Sequence, residues 1–409
     1  MNRKQFALML FLLVVVGLAG LMIYNQQNDF RKTGNQDLGK KLLGTFPFND
    51  VAHIALREGT NEVNLVKKDQ LWRVRERNDY PANYSEISEF LIKLGDVKVV
   101  SSEKVGPSQL PRLALVPGQG TNAALVADFK DQAEKPIRTL LLGKKHLQKS
   151  NRPSPFGDVG DGGFPDGRYV KVGTDSDSVE LISEPLSNIE PRPDQWLNKD
   201  FFKVEKVRSI AVAFPVATNS WKVTRDTETA EWKLSDAKPG EQLDSSKTSG
   251  LSNPLSSPSF NDVATGSPVE SFAADKPTVV TLDTFDNFTY ALKVGQKTND
   301  NYALALTVAA QLPKERTPGK DEKPEDKARL DKEFKDNQKK LEDKLAQEKP
   351  YEKWVYLVSS WTVDPLLKER FQLLVEKKEE PKPAATTADA SKPVDSAGQA
   401  GTNAPSKTN

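Results

Sequence analysis

The chain has 409 residues and a formal net charge of +1, with 58 basic and 57 acidic side chains, 2 histidines and no cysteine. Its length exceeds that of a typical single domain and predicts two domains with additional segments. The balanced charge disfavours a nucleic acid partner, and the lack of cysteine excludes disulfides, thiolate catalysis and cysteine-ligated metal cofactors.

An apolar run without a charge extends from Phe6 to Tyr24, after a basic N-terminus at residues 1–5. Nineteen residues at about 1.5 Å per residue span about 28 Å as a helix, close to the hydrocarbon thickness of a bilayer. The sequence therefore predicts one transmembrane anchor over residues 6–24. The membrane-spanning side chains expected in it include Phe6, Leu12, Val16, Leu21 and Tyr24.

A cleaved secretory signal is the alternative to an anchor, because residues 17–19 offer small side chains at the spacing that signal peptidase prefers. Retention is favoured because the apolar run continues past Ala19 and ends at Tyr24, an interfacial aromatic. Arg3 and Lys4 lie closest to the membrane and favour an N-terminus inside the cell. We expect a single-pass cell-membrane protein, with the lipid bilayer as a partner and the bulk of the chain extracytoplasmic, in the periplasm.

A polar spacer is expected over residues 25–50 and a first α+β module over residues 51–204. Asn83 stands at an N-cap position with Glu86 three residues later, ahead of an apolar stripe at helical spacing. This pattern predicts an amphipathic helix, whose stripe comprises Ile87, Phe90, Leu91 and Leu94. Short apolar or alternating runs predict strands at 53–56, 63–66, 71–74, 97–100, 124–129, 139–142, 169–172 and 179–182.

The same order of elements recurs in a second module, expected over residues 207–376. Its predicted strands are at 209–214, 221–224, 231–234, 261–264, 279–282, 290–294, 302–308 and 354–358, with a weaker helix near residues 243–249. Trp232 falls where Trp72 falls in the first module. A duplication explains the shared order better than two unrelated modules, which is the alternative. The predicted fold class is α+β: a single N-terminal transmembrane helix followed by two tandem, duplicated modules of antiparallel strands with short helices.

A charged insertion at residues 313–350 distinguishes the second module, since the first has only a four-residue turn at that place. Three prolines open the insertion, and acidic and basic side chains four residues apart then support a helix over residues 325–349. We predict an arm that runs out extended and returns as a helix. The helix has a narrow apolar stripe, which faces either its own outgoing chain or a partner protein: Leu330, Phe334, Leu341 and Leu345. A solvated helix without a partner is the alternative.

Beyond residue 376 the chain becomes rich in Pro, Ala, Thr and Ser, which predicts a disordered tail over residues 377–409. Elsewhere, few residues suggest chemistry. His53 lies within a predicted strand and is expected to have a structural role, whereas His146 is expected in an exposed polar loop. No catalytic, cofactor-binding or metal-binding residue is therefore predicted.

The glycine-rich loop at residues 157–163 lacks the Gly-Lys-Ser/Thr of a phosphate loop and the closing Glu of an EF-hand. Asp158, Asp161 and Asp166 could together bind a cation, but a surface loop without a ligand is the favoured interpretation of residues 151–168. Paired carboxylates for glycoside chemistry can come from any part of a chain with 57 acids. A cell-envelope enzyme acting on polysaccharide or peptidoglycan therefore stays open as an alternative function.

Several short motifs resemble a bacterial family that is known only as a domain of unknown function, number 4340. These motifs are Leu71-Trp72-Arg73-Val74, Tyr80-Pro81-Ala82, Leu142-Gly143 and Gln195-Trp196-Leu197. The resemblance covers about residues 51–204. It implies a single-pass membrane protein with an extracytoplasmic α+β domain, accessory to an ABC-type transporter, and it carries no catalytic residue. The function expected is thus a membrane-tethered, non-enzymatic binding or assembly subunit, with transporter subunits as partners.

Overall fold

The computed structural model describes residues 38–120, 122–148, 164–265, 276–319 and 322–376, together with residues 17, 18, 20 and 22. Antiparallel strands in two sheets, with a few helices, make up this part of the chain. Both sheets belong to one compact unit that ends at Leu374. The α+β class predicted from the strand and helix patterns is therefore confirmed.

The first sheet has nine strands in the order β4-β3-β2-β1-β6-β7-β8-β9-β5. The strands are β1 (His53–Glu58), β2 (Asn61–Lys68), β3 (Leu71–Val74), β4 (Tyr80–Pro81), β5 (Val99–Lys104), β6 (Leu125–Lys130), β7 (Pro136–Gln148), β8 (Phe164–Val172) and β9 (Ser178–Ile182). Along β6, burial alternates with every residue, so one face of the sheet is directed at the core.

The second sheet has eight strands in the order β12-β11-β10-β14-β15-β16-β17-β13. The strands are β10 (Val207–Ala213), β11 (Trp221–Thr224), β12 (Lys233–Leu234), β13 (Asp262–Val263), β14 (Thr278–Thr284), β15 (Phe288–Thr298), β16 (Asn301–Ala310) and β17 (Tyr356–Ser359). When β4 is left out, eight strands remain in the first sheet. Counted along the chain, they lie in the same spatial order as the eight strands of the second sheet. The two sheets therefore share one topology.

Between residues 38 and 376, the described α-helices are α1 (Tyr84–Asp96), α2 (Ser245–Thr248) and α3 (Pro324–Glu348), which connect strands, and α4 (Ser360–Val363), which follows the last strand. Short 3-10 helices lie at Phe48–Asp50, Arg75–Arg77, Leu110–Leu113, Pro193–Trp196, Ala217–Asn219, Ser249–Leu251, Lys349–Lys353 and Arg370–Leu373. The predicted cap of α1 is confirmed, since the Asn83 side chain accepts hydrogen bonds from the backbone N–H groups of Ser85 and Glu86. Its buried face contains Ile87, Phe90 and Leu94.

The main hydrophobic core draws side chains from both sheets, including Ile54 and Phe129 of the first and Ile210 and Leu282 of the second. A second, smaller cluster lies on the opposite face of the first sheet and comprises Leu115, Ala124, Leu141 and Val179. Successive side chains of a strand point to opposite faces, which is why Leu140 and Leu142 enter the main core and Leu141 does not.

Two boundaries differ from the sequence-based expectation. The spacer expected to continue to residue 50 ends earlier, because Leu43 and Phe46 are buried in the main core. The loop expected to end at residue 168 gives way to β8 at Phe164, since β7 continues to Gln148 and pairs with it. The second error arises from polar residues that pair through their backbone and therefore show no hydrophobic pattern.

The predicted anchor over residues 6–24 falls outside the described residues, apart from residues 17, 18, 20 and 22, which are helical. Within the part of the chain that the structure describes, no helix is both long and apolar enough to cross a membrane. The predicted tail at residues 377–409 also lies outside the described residues.

Candidate functional site

An arm formed by residues 311–348 leaves the second sheet after β16 and returns as α3 before β17. The 25 residues of α3 extend about 37 Å at 1.5 Å per residue. Pro324 occupies the start of the helix, and Glu325 and Asp326 lie in its first turn, where the helix dipole favours negative charge. The helix predicted in the insertion is confirmed, with each end one residue earlier.

Arg316 fixes the outgoing segment of the arm to the helix. Its guanidinium Nη2 lies 2.6 Å from Glu322 Oε1, and its Nε donates to Asp331 Oδ1 over 2.8 Å. Hydrogen bonds first to Glu322 and then to Asp331 raise the pKa of Arg316 above its ordinary value. The bond from Arg316 likewise lowers the pKa of Glu322. The arm is therefore closed by a charged cluster of its own residues.

The base of the arm docks on the main core through Leu341, Leu345 and Glu348. The two leucines pack against the core side chains, and Glu348 is buried at the last residue of α3. The backbone N–H of Lys203 donates to Glu348 Oε1 over 3.0 Å, and the Tyr290 hydroxyl donates to Oε2 over 2.7 Å. A carboxylate at a helix C-terminus is unfavourable on its own, so these two donors hold it in place.

Replacing Glu348 with leucine is expected to lower the free energy of unfolding by about 2 kcal/mol, because the buried Tyr290 hydroxyl and the partly buried N–H of Lys203 lose their acceptor. Burial raises the pKa of Glu348, so the folded chain holds this proton more tightly than the unfolded chain does. The stability that Glu348 contributes through this proton is thus fully present below pH 4.5, the ordinary pKa of glutamate. It is lost as the pH rises through the raised pKa of the folded chain.

Glu348→Gln keeps an acceptor without the charge. Urea unfolding at several pH values should show a flatter decline of stability above pH 4.5 in this variant than in the natural chain. The same decline in both proteins would contradict the assignment of the titrating group to Glu348.

The far half of α3 has a different environment from its base. In the described chain, every side-chain hydrogen bond and ion pair of residues 324–340 has its partner between residues 316 and 342. Leu330 and Phe334 are half-buried but do not pack on the main core, unlike Leu341 and Leu345. The structure thus divides the predicted stripe into a docked pair and an undocked pair. That the stripe meets a partner stays a prediction.

A cleft of about 830 Å³ opens beside the base of the arm. Its charged lining residues are Lys199, Asp200, Lys203, Glu205, Lys344 and Glu348. Lys344 Nζ donates to the Lys203 carbonyl over 2.8 Å and lies 3.3 Å from Glu205 Oε2. Lys199 Nζ donates to the Asn261 carbonyl over 2.7 Å, and burial lowers its pKa. Acidic and basic groups balance in this cleft, so it does not select a charged ligand.

The two histidines have different roles from one another. His53 is buried, with Nδ1 2.8 Å from Glu134 Oε2 and Nε2 2.8 Å from Asn64 Oδ1, which confirms its structural role. His146 lies in β7, so the loop expected there was wrong, but its side chain is 39% exposed, and its Nδ1 is 2.6 Å from Asp166 Oδ1. Asp158 and Asp161 lie outside the described residues. Among the described residues, no group of three or more His, Asp or Glu side chains could hold a metal ion.

The five side chains predicted to span the membrane, which are Phe6, Leu12, Val16, Leu21 and Tyr24, lie outside the described residues.

One protein-family model matches residues 158–284, and its description is Domain of unknown function (DUF4340). These residues are thus similar to the DUF4340 family, and we call them the DUF4340 segment. The family resemblance noted in the sequence is confirmed, but over a different range from the expected residues 51–204. No curated protein and no solved structure matches the chain.

The DUF4340 segment begins near β8 and ends with β14, so it spans the connection between the two sheets. Of the motifs that suggested the family, only Gln195-Trp196-Leu197 lies within it. Trp196 is buried in the main core, and its indole N–H donates to the Glu190 carbonyl over 2.9 Å. The segment therefore supplies parts of both sheets rather than one complete sheet.

The DUF4340 segment also contributes Phe260 and Asp262 to a joint between the two sheets that the sequence did not reveal. Arg77, in the 3-10 helix between β3 and β4, binds Asp262 of β13 through two bonds, Nε to Oδ1 over 2.7 Å and Nη2 to Oδ2 over 2.8 Å. Tyr80 packs edge-on against Trp354, Phe260 and Tyr356, with ring centroids 4.9, 5.8 and 6.0 Å apart. The density of aromatic residues at 201–202 and 351–356 was the available signal for this joint.

Proposed function

We propose that this chain is a membrane-tethered, extracytoplasmic and non-enzymatic subunit that binds a neighbouring membrane protein of an ABC-type transport system. The observation that carries the proposal is the arm. Its far half is bonded only to itself within the described chain, and its undocked side chains, Leu330 and Phe334, continue the apolar stripe beyond the core. Such a helix is suited to lie in an apolar groove of a partner.

We infer that the two sheets arose by duplication, and this supports the choice of the arm. The same order of eight strands recurs in both sheets, and α3 lies between β16 and β17, where the first sheet has only residues 173–177 between β8 and β9. Differences between repeats that are confined to connections are the usual place for function. The arm is the largest such difference in the described chain.

The tether in this proposal is the apolar run from Phe6 to Tyr24, which joins the described sheets to the membrane through the residues before Leu38. A subunit held in this way meets other membrane proteins at high effective concentration, so that a small contact suffices for association. This requirement suits a short helix face of about two turns better than a large interface.

The proposal predicts that the double substitution Leu330→Gln and Phe334→Gln abolishes co-purification of a transporter component from solubilised membranes. Both side chains are half-buried and lie outside the core, so the fold is expected to survive their replacement. The measurement is the recovery of transporter subunits with the full-length chain, relative to the amount of chain recovered.

The matched control is Ala328→Gln with Lys335→Gln, two exposed positions on the opposite side of α3. This control should co-purify with the transporter as the natural chain does. If the natural chain recovers no transporter component, the proposal fails at its first step. If both double variants lose the component equally, association does not use the stripe.

A cell-envelope enzyme is the second candidate, and one observation favours it. The cleft at the base of the arm brings Asp200, Glu205 and Glu348 to one site, as paired-carboxylate chemistry requires. Both oxygens of Glu348 already accept hydrogen bonds from the protein, which weakens this candidate. If the chain is such an enzyme, Asp200→Asn with Glu205→Gln should abolish its activity on polysaccharide or peptidoglycan. The double substitution Leu330→Gln with Phe334→Gln should leave that activity unchanged.

A further inference from the structure

A second cleft, of about 620 Å³, lies on the face of the first sheet that carries the smaller hydrophobic cluster. Tyr169, Val179 and Leu181 form its apolar floor on β8 and β9. The chain between β5 and β6 forms one wall through residues 105–113, and the outer half of β7 forms the other. We call it the basic cleft, for its cations Arg112, Lys144 and Lys145.

Gly143 makes the wall of the basic cleft possible. A Cβ atom at this position would lie 2.4 Å from the Leu113 carbonyl oxygen and 2.8 Å from the Leu115 side chain, closer than real contacts allow. Arg168, itself buried, donates from Nε to the Gly143 carbonyl over 2.8 Å and holds the strand in place. The wall that carries Arg112 is therefore packed directly on β7, and the cleft is formed in advance of any ligand.

The charge in the basic cleft is positive and not neutralised. In the part of the chain that the structure describes, the side chains of Arg112, Lys144 and Lys145 form no ion pair or hydrogen bond. Two acidic side chains lie nearby. Glu103 lines the cleft, and Asp166 is paired with His146, another lining residue. Cations therefore outnumber the acids that face the cleft.

Exposed apolar side chains lie at the same end of the first sheet. Leu147 lines the cleft and is 43% exposed, and Phe164, on the paired end of β8, is 68% exposed. Leu38 and Val100 are 45% and 51% exposed at the edge strand β5. Large apolar side chains beside lysine and arginine are typical of surfaces that lie in the interface of an anionic bilayer.

The course of the chain brings this end of the sheet near the predicted tether. Residues 38–42 run along the outer edge of β5, since the Gly39 N–H donates to the Val99 carbonyl over 2.9 Å and the Val99 N–H to the Lys40 carbonyl over 3.0 Å. β5 also lines the cleft with Ser101 and Glu103, about 13 Å along the strand from Val99 at most. Only 13 residues separate Leu38 from Tyr24, an extended reach of about 45 Å.

We propose that the basic cleft binds anionic phospholipid headgroups of the bilayer in which the chain is tethered, an inference that rests on the tether of the proposed function. Arg112, Lys144 and Lys145 contact the phosphates, while Leu147 and Phe164 enter the acyl boundary. Each cation near an anionic leaflet strengthens binding about fivefold. Headgroup binding would hold the first sheet against the membrane and direct the second sheet and its arm along it.

The test uses the full-length chain in lipid nanodiscs. Because the sequence has no cysteine, Gln148→Cys, at the exposed end of β7, carries a single fluorophore. Discs of phosphatidylcholine alone are compared with discs of equal parts phosphatidylcholine and phosphatidylglycerol, each with a headgroup-nitroxide lipid as quencher. Strong quenching is expected only in the anionic discs. The triple substitution Arg112→Gln, Lys144→Gln and Lys145→Gln is expected to reduce it to the level of the neutral discs.

The control variant removes the same charge from α3 through Lys327→Gln, Lys332→Gln and Lys339→Gln, three exposed positions, and should retain the quenching. Equal quenching in the two kinds of disc, or quenching that survives the triple substitution in the cleft, would overturn the proposal. Binding of polyglutamate through the same three cations, without a response to phosphatidylglycerol, would also overturn it and would assign the cleft to an acidic peptide.

Failure of the tether is distinguishable from failure of the cleft. A chain that does not co-elute with either kind of disc lacks the tether, which contradicts the proposed function. The same chain is then mixed with vesicles of the two lipid compositions, and its co-flotation is measured. Flotation with anionic vesicles that the triple substitution abolishes supports the cleft, and flotation with neither kind of vesicle overturns it.

Discussion

Replacing Arg370 with methionine is expected to lower the free energy of unfolding by about 3 kcal/mol, because two carboxylates lose their common partner. The guanidinium is buried and binds Glu241 Oε2 over 2.7 Å and Asp236 Oδ2 over 2.6 Å. It also donates to the backbone carbonyls of Asp236 and Ser220. Asp236 is 51% exposed and regains water in the variant, which places the loss at the lower end of the range for buried pairs. Urea unfolding measures it.

The same cluster gives a pH dependence with a defined sign. The bond from Arg370, followed by one from the Lys238 backbone, lowers the pKa of Glu241 from its ordinary 4.5 to about 2. This carboxylate therefore stabilises the fold fully above pH 4.5, and its contribution is lost as the pH falls towards about 2. Arg370→Met should weaken the acid-induced loss of stability.

Arg192→Met is the matched control for Arg370→Met, since Arg192 also lies between two acids, Glu190 and Asp194, but is exposed. Its unfolding midpoint should remain that of the natural chain, as is usual for surface ion pairs. An unchanged midpoint in Arg370→Met itself would show that the cluster does not stabilise the second sheet.

Much of the fold could be predicted because the burial of one face of a helix or strand requires apolar residues at regular spacing in the sequence. Asn83 and the stripe of α1 were recognisable, since capping and helical spacing are local properties of the sequence. Repetition of one element order likewise indicated two sheets of similar topology. The outer parts of β7 and β8 escaped prediction because Lys145, His146 and Arg168 take part in the pairing of the two strands, which depends on backbone hydrogen bonds and requires no apolar residue.

The candidate sites were less predictable, because they depend on contacts between distant residues. The helix of the arm was evident from its charges and stripe, but the docking of Leu341 and Leu345 depends on Glu348 meeting Lys203 and Tyr290. The basic cleft forms only because the chain after β5 crosses the sheet at Gly143. No local sequence pattern predicts this crossing. Long-range closure of this kind has no signature in a single sequence.

The joint between the two sheets leads to the other large prediction. Tyr80→Ala is expected to lower the free energy of unfolding by about 4 kcal/mol, because a ring that is 1% exposed leaves a cavity among Phe260, Trp354 and Tyr356. Tyr84→Ala, the same exchange four residues later, removes a ring that is 67% exposed and should change stability by no more than about 0.5 kcal/mol.

Loss of Tyr80 should also change the form of the unfolding transition. The two sheets share a core, and the Arg77–Asp262 pair and the Tyr80 ring connect them, so the natural chain is expected to unfold in one transition. Without the ring, the two sheets should unfold at different urea concentrations. Unfolding curves from tryptophan fluorescence and from circular dichroism should then no longer coincide. Coincident curves with an unchanged midpoint in Tyr80→Ala would mean that the joint is held by other contacts. In that case Arg77→Met, which removes both bonds to Asp262, should produce the separation instead.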